Sequence, residues 1–294
     1  MFHFIKTAAA GFALAGLSTA ALADEIVVGG KNFTEQQILS SMTEQLLEAK
    51  GYDVDNRAGM GSAALRQAME NGQIDVYWEY TGTSLITYNK VEEKLNKVDT
   101  YARVKELDAE KGIVWLDPSD ANNTYALAMR EAQAEEMGIE TLSDLAERVN
   151  TEGDLTFASN AEFYARADGL KPLQEAYGFE FGRPSIKRMD TGLVYQALRD
   201  EQVEVGLVFA TDGRIPAFDF RVLEDDKGYF PAYALAPVVR AEVLEANPGL
   251  ADILNEVSAK LDDETMAALN ARVDVEKVSV ENVAAEFLKE QGLI

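Results

Sequence analysis

The chain has 294 residues, with 27 Lys and Arg against 51 Asp and Glu, giving a formal net charge of -24. Such acidity repels nucleic-acid phosphates and keeps an exported protein soluble, while any pull on cationic ligands is screened over roughly 10 Å. There is no cysteine, and the single histidine, His3, lies in the N-terminal leader, so the remainder has no thiolate chemistry, no Ser-His-Asp relay and no His/Cys metal site.

Lys6 forms a short positive region, Thr7 to Thr19 an apolar one rich in small residues, and Ala21-Leu22-Ala23 an A-x-A site. This pattern is a secretory signal peptide over residues 1–23, with cleavage after Ala23 and the mature chain starting at Asp24. Loss of Lys6 moves the charge from -24 to -25. With no cysteine to carry a lipid, the mature protein is expected free in the periplasm of a Gram-negative cell. About 270 residues remain, enough for two α/β lobes or one large domain.

The mature chain then reads strand, helix, strand, helix, strand. Glu25 to Gly30 is an apolar strand. Thr34 to Gln37 has the form of a capping box, and Ile38, Leu39, Met42, Leu46 and Leu47 give a helical stripe ending at Gly51. Tyr52 to Arg57 reads as a strand, Ser62 as the cap of a helix through Met69, and Ile74 to Tyr80 as a third strand. The scheme recurs with a helix Leu142 to Val149, a strand Leu155 to Ala158, a helix Lys171 to Tyr177 and a strand Ser185 to Met189. The helix Leu193 to Arg199 and the strand Glu204 to Phe209 follow. Glu242 to Leu293 is helical throughout. Alternation of this kind predicts mostly parallel βαβ units flanked by helices.

An internal echo runs through the pattern. Gln73-Ile74-Asp75-Val76 is matched by Gln202-Val203-Glu204-Val205, and an aromatic follows four residues after each valine, Tyr80 and Phe209. Each then enters a polar turn, T-G-T or T-D-G. Two lobes of like design would each present a ring at the carboxyl end of the equivalent strand, where open parallel sheets bind ligands. On that strand Trp78 shares a face with Tyr80 and is expected to back it, whereas Tyr77 points the other way.

Lys31 follows the first strand beside a glycine pair and a helix N-terminus, a place suited to an anion. Tyr125 begins an apolar strand expected to cross between lobes, and Tyr233 lies on a proline-bracketed segment expected to cross back. Taken singly, each tyrosine fits a core as well as a ligand contact. Arg166 lies in a loop, where most arginines are solvated or salt-bridged.

Five segments in order, G-K-N-F-T-E-Q, D-V-Y-W-E-Y-T-G-T, E-F-Y-A-R-A-D-G, F-A-T-D-G-R-I and Y-A-L-A-P-V-V-R, resemble the substrate-binding proteins of ABC importers for glycine betaine, choline and related quaternary ammonium osmoprotectants. The resemblance spans nearly the whole mature chain. It implies a non-enzymatic, two-lobed type II periplasmic binding protein, monomeric and without cofactor or metal, that closes on its ligand and delivers it to a permease with a cytoplasmic ATPase. It further implies an aromatic box of Tyr80, Tyr125, Phe209 and Tyr233, with Lys31, Thr83 and Arg166 holding the ligand carboxylate. Position 209 is usually tyrosine in that family and is phenylalanine here. The expected lobes are 24–124 with 231–294, and 125–230. Other readings are a trap for another small zwitterion such as an amino acid or ectoine, its ammonium met by Glu79 or Asp212, and a carboxylate-based hydrolase with two acids across one cleft.

Overall fold

A computed structural model describes residues 25–153 and 155–294; the leader and its cleavage site lie outside these. Ten strands form two five-stranded sheets. The first has the order β2-β1-β3-β10-β4, built from β1 (Ile26–Lys31), β2 (Val54–Met60), β3 (Val76–Tyr80), β4 (Ile113–Trp115) and β10 (Leu235–Arg240). The second, β7-β6-β8-β5-β9, contains β5 (Tyr125–Arg130), β6 (Phe157–Ser159), β7 (Ile186–Arg188), β8 (Val205–Phe209) and β9 (Phe220–Val222). The architecture is α/β and two-lobed, but the sheets are mixed rather than mostly parallel. In each, the three strands made by consecutive βαβ units are parallel, while the strand entering from the other half, β10 or β5, runs antiparallel to its neighbours. A strand that arrives through a lobe crossing carries no crossover helix, so parallel pairing is not imposed on it.

The helices of the first half are α1 (Thr34–Ala49), α2 (Ser62–Glu70), a single π-turn at Thr83–Tyr88, and α3 (Lys97–Ala109). The second half carries α4 (Glu131–Met137), α5 (Leu142–Thr151), α6 (Ala161–Ala165), α7 (Leu170–Tyr177), α8 (Thr191–Arg199) and α9 (Arg214–Ala217). The tail is not one continuous helical run. It breaks into α10 (Ala241–Ala246), α11 (Leu250–Ser258), α12 (Asp263–Asp274) and α13 (Val280–Glu290), with Asn247-Pro248 ending the first and Asp262 capping the third through the Thr265 amide. α12 and α13 fold back onto α1.

Two helix starts differ from expectation. The Thr34–Gln37 capping box does not form: Phe33 is the N-cap, and the Thr34 hydroxyl instead donates to Asp274 Oδ1 at 2.9 Å. Docking of this helix end onto α12 supplies the partner that a box would have provided. Likewise Gly61, not Ser62, precedes α2, and the Ser62 hydroxyl donates to Glu162 at 3.1 Å.

Two crossing segments join the halves and pair with each other. Asn122 bridges Ala234, the Asn123 amide donates to the Tyr233 carbonyl at 3.2 Å, and the Tyr233 amide donates to Asn122 Oδ1 at 2.7 Å. This narrow ribbon is the covalent link between the sheets, and one continuous apolar cluster, from Ile38 and Trp78 to Leu127 and Phe157, runs past it.

Candidate functional site

The echo strands β3 and β8 hold the same place in the two sheet orders, so Tyr80 and Phe209 end equivalent strands that point toward the crossing. Antiparallel pairing with β8 sets Tyr125 directly opposite Phe209, and their rings meet at 5.2 Å. Tyr233, just before β10, meets Tyr125 edge-on at 5.5 Å. Its place depends on Gly82, where an added Cβ would lie 2.8 Å from both the Tyr233 ring and the Ala232 carbonyl. The cluster is built by register and close backbone approach, not by a contiguous motif.

Lys31, Tyr80, Thr83, Tyr125, Arg166, Phe209 and Tyr233 all line one cavity, together with Asn32, Phe33, Ser62, Asn123, Asn160, Glu162 and Thr191. Its free volume is about 30 Å³, room for one or two waters. A trimethylammonium group needs more space than this. All seven residues predicted from the sequence are buried. Trp78 stands behind Tyr80 with its indole N–H on Thr43 at 2.9 Å, and Tyr77 packs into a separate core.

The two cations in the cavity are already engaged. Lys31 Nζ lies 2.5 Å from Glu79 Oε1 and 4.8 Å from the centre of the Tyr80 ring. Tyr77 donates to the other Glu79 oxygen at 2.9 Å. Arg166 places Nε and Nη2 on the two oxygens of Asp168, each at 2.6 Å, and reaches Glu162 at 3.1 Å and Thr83 at 3.4 Å. Burial opposes its charge, yet Tyr125 and the Asp168 pair outweigh this and push its pKa well above the ordinary value. Its bidentate face is therefore taken, and a ligand carboxylate could meet only the remaining N–H. The Tyr233 hydroxyl also donates to Asp168, at 2.5 Å, and burial with that nearby charge raises its pKa.

Phe33, which lines the cavity, and Glu35, which lies behind Tyr80, were not singled out from the sequence. The Phe33 ring stacks on Phe209 at 5.5 Å and 15°, and lies 6.3 Å from Tyr80. It also lines a wide groove of about 1070 Å³ with Asn160, Thr191, Arg214 and Asp274, so it stands between cavity and groove. Glu35 accepts the Tyr80 hydroxyl at 2.6 Å and is buried. The available signal for it was an acid placed three and four residues before Ile38 and Leu39, on the apolar face of α1. Among the described residues no group of His, Cys, Asp and Glu is placed to hold a metal ion.

Residues 24–290 match the family described as the substrate-binding domain of the ABC-type glycine betaine transport system. The chain belongs to this family. It is 51% identical over 293 residues to a glycine-betaine-binding protein of Pseudomonas aeruginosa, covering 98% of this chain and 93% of the relative. It is 35% identical over 279 residues to the glycine betaine-binding protein YehZ of Escherichia coli, covering 92% of each. Apo YehZ superposes with a TM-score of 0.68 at 34% identity, over 92% of this chain and 100% of that one. A crystal structure described as a glycine betaine/carnitine/choline ABC transporter gives 0.73 at 30% identity, over 91% of this chain and 99% of that one. Members of the family are substrate-binding components of transport systems, and this chain is one of them.

Proposed function

We propose that the protein captures a quaternary ammonium solute, with glycine betaine as the leading candidate, in a cage of Tyr80, Tyr125, Phe209 and Tyr233, and passes it to an ABC importer permease driven by a cytoplasmic ATPase. It acts as a monomer in the periplasm after cleavage following Ala23, without catalysis or cofactor. Its lobes are 24–124 with 231–294, and 125–230. The observation that carries this reading is the convergence of four rings, Lys31, Thr83 and Arg166 on one cavity at the strand ends.

A methylated ammonium has no N–H to donate, so ring faces and dispersion must hold it, each ring contributing about 0.5–2 kcal/mol when desolvated. Charge-assisted contacts to a ligand carboxylate add about 1.5–3 kcal/mol each. After the costs of association, a net of about 8 kcal/mol, or micromolar binding, is in reach. Lys31 and Thr83 take most of the carboxylate and Arg166 contributes one N–H, because Asp168 occupies its fork. Against the amino-acid alternative, the acids a primary ammonium could meet are engaged: Glu79 by Lys31, Asp212 by Arg214 at 2.5 Å, and Glu162, which lines the cavity, by Arg166 and Ser62, each at 3.1 Å.

Calorimetric titration of the mature protein with glycine betaine, choline, proline betaine, carnitine, ectoine and glycine tests the reading. Saturable heat for one or more methylated ligands and none for glycine is expected. Tight glycine or ectoine binding, or silence across the panel, would remove the ligand class.

A further inference from the structure

Among the described residues the buried carboxylates are Glu35, Asp75, Glu79, Asp108, Asp168 and Asp212. Asp75 is paired with Arg240, Glu79 with Lys31, Asp108 with Arg66, Asp168 with Arg166 and Asp212 with Arg214. Glu35 alone has no cation. It is held by four neutral donors from four parts of the chain: Tyr80 Oη at 2.6 Å and Asn123 Nδ2 at 2.8 Å on one oxygen, Thr211 Oγ1 at 2.5 Å and Asn270 Nδ2 at 3.2 Å on the other. Tyr80 ends β3, Asn123 lies in the first crossing, Thr211 follows β8 in the other half, and Asn270 is on α12.

An ionised carboxylate buried without a counter-charge is costly, and neutral donors offset this only in part. Lys31 already stands 4.8 Å from the centre of the Tyr80 ring, but it is paired with Glu79, so a further cation must come from outside. The hydroxyl that donates to Glu35 belongs to the cage ring Tyr80, so a cation held on that ring sits one phenol away from Glu35.

We propose that Glu35 is the titrating counter-charge of the bound cation: solute capture favours its ionised form, and the carboxyl proton passes to solvent as the O–H electron pair stays on Glu35. This rests on the cage reading above. A negative charge accepting from the Tyr80 phenol also enriches the ring that faces the cation. The same charge strengthens the bond to Thr211, which ties α1 to the opposite half. Binding and closure are thus coupled through one carboxyl group.

Burial raises the Glu35 pKa, and the bonds from Thr211, Tyr80, Asn123 and Asn270 counter it only in part. The segments that contact Glu35 carry these charged or titratable groups: Tyr80, which donates to it, and Glu79 on β3, Lys31 on β1, Asp120 before the crossing, Asp212 and Arg214 after β8, and Arg272 and Asp274 on α12. Lys31 is paired with Glu79, Arg214 with Asp212 and Asp274, and Arg272 with Glu286. α13 adds only apolar Val283, Ala284, Phe287 and Leu288 to the core it shares with α1. None of these cations neutralises Glu35.

The test is calorimetry of the mature protein with glycine betaine between about pH 5 and 8, in two buffers of different ionisation enthalpy. Wild type is expected to release a fraction of a proton on binding. Its Kd should rise as pH falls below the Glu35 pKa of the free protein, by up to about tenfold per pH unit. Glu35→Gln, checked for an unchanged melting profile, is expected to bind with neither proton release nor that pH slope. The carbon isostere 3,3-dimethylbutanoate, which keeps the carboxylate and lacks the cationic head, should release no proton from wild type. Betaine binding by wild type that is flat in pH and proton-neutral overturns the inference without touching the cage, and needs no variant. A wild-type slope that persists in Glu35→Gln overturns it too. Absence of binding by every methylated ligand removes the cage reading and this inference together.

Discussion

Arg166 is the residue whose role the structure changes most, and its removal is a sharp test. Its side chain is 5% exposed and that of Asp168 3%, so the pair is shielded from solvent. Arg166→Ala leaves Asp168 with the Tyr233 hydroxyl as its main remaining donor. Breaking a buried pair by deleting one partner costs about 3–5 kcal/mol. At about 2–4 °C per kcal/mol for a chain near this size, the melting midpoint should fall by roughly 6–20 °C. Combining Arg166→Ala with Asp168→Asn removes both charges and should recover part of that loss, with a coupling energy of about 2 kcal/mol or more in the cycle. Thermal and urea melts of the wild type, both single variants and the double measure it. A ligand arm adds to this: Asp168→Asn alone releases the guanidinium fork and should tighten glycine betaine relative to choline. A midpoint shift of less than about 2 °C in Arg166→Ala, with negligible coupling, would refute the anchoring role and return Arg166 to the ligand as a free grip.

Three further outcomes are expected. Gly82→Ala pushes a Cβ to within 2.8 Å of the Tyr233 ring and the Ala232 carbonyl; stability should fall by about 1–3 kcal/mol and betaine affinity with it, read by melting and calorimetry. Phe33→Ala deletes the ring between cage and groove, and stopped-flow fluorescence should show faster solute release, with Kd weakened about 2- to 30-fold. Burial alone would raise the Asp108 pKa, but its bonds and charge contact with Arg66, aided by Asn89 and Trp115, hold it down to about 2. A carboxyl with a depressed folded-state pKa stabilises above its unfolded value and loses that contribution as pH falls. About 2 kcal/mol should therefore disappear between about pH 4 and pH 2, and the acid-denaturation profile should flatten in that window in Asp108→Asn.

How far the sequence reveals this site depends on whether each feature is local. The strand-to-turn echo at Tyr80 and Phe209 is local, and the two strands do occupy matching places in their sheets. The antiparallel entry of β5 and β10 is not local: β10 pairs with β4 across more than a hundred residues, and no short pattern encodes that. Seven of the residues that line the cavity could be named because each sits in a recognisable segment. Their engagement could not, because Lys31 meets Glu79 from 48 positions away and Tyr233 meets Asp168 from 65. The failed capping box at Thr34 has the same origin, since a tertiary neighbour, Asp274, outcompeted the local partner.

Glu35 lay in plain view within G-K-N-F-T-E-Q, and the physical sign was its place on the apolar stripe of α1. An acid on a buried helical face needs a compensating charge or a reason to do without one. The cation of its own segment, Lys31, is paired with Glu79, and the groups that reach Glu35 are amides and hydroxyls. The compensation is then left for whatever cation enters the cage. That makes the aromatic box more than a set of passive ring faces: one of its rings is wired to a carboxyl group that reaches the opposite half. A cage whose charge balance is completed by its solute closes most firmly on a cationic head, and an isostere of the same shape without that head lacks the advantage.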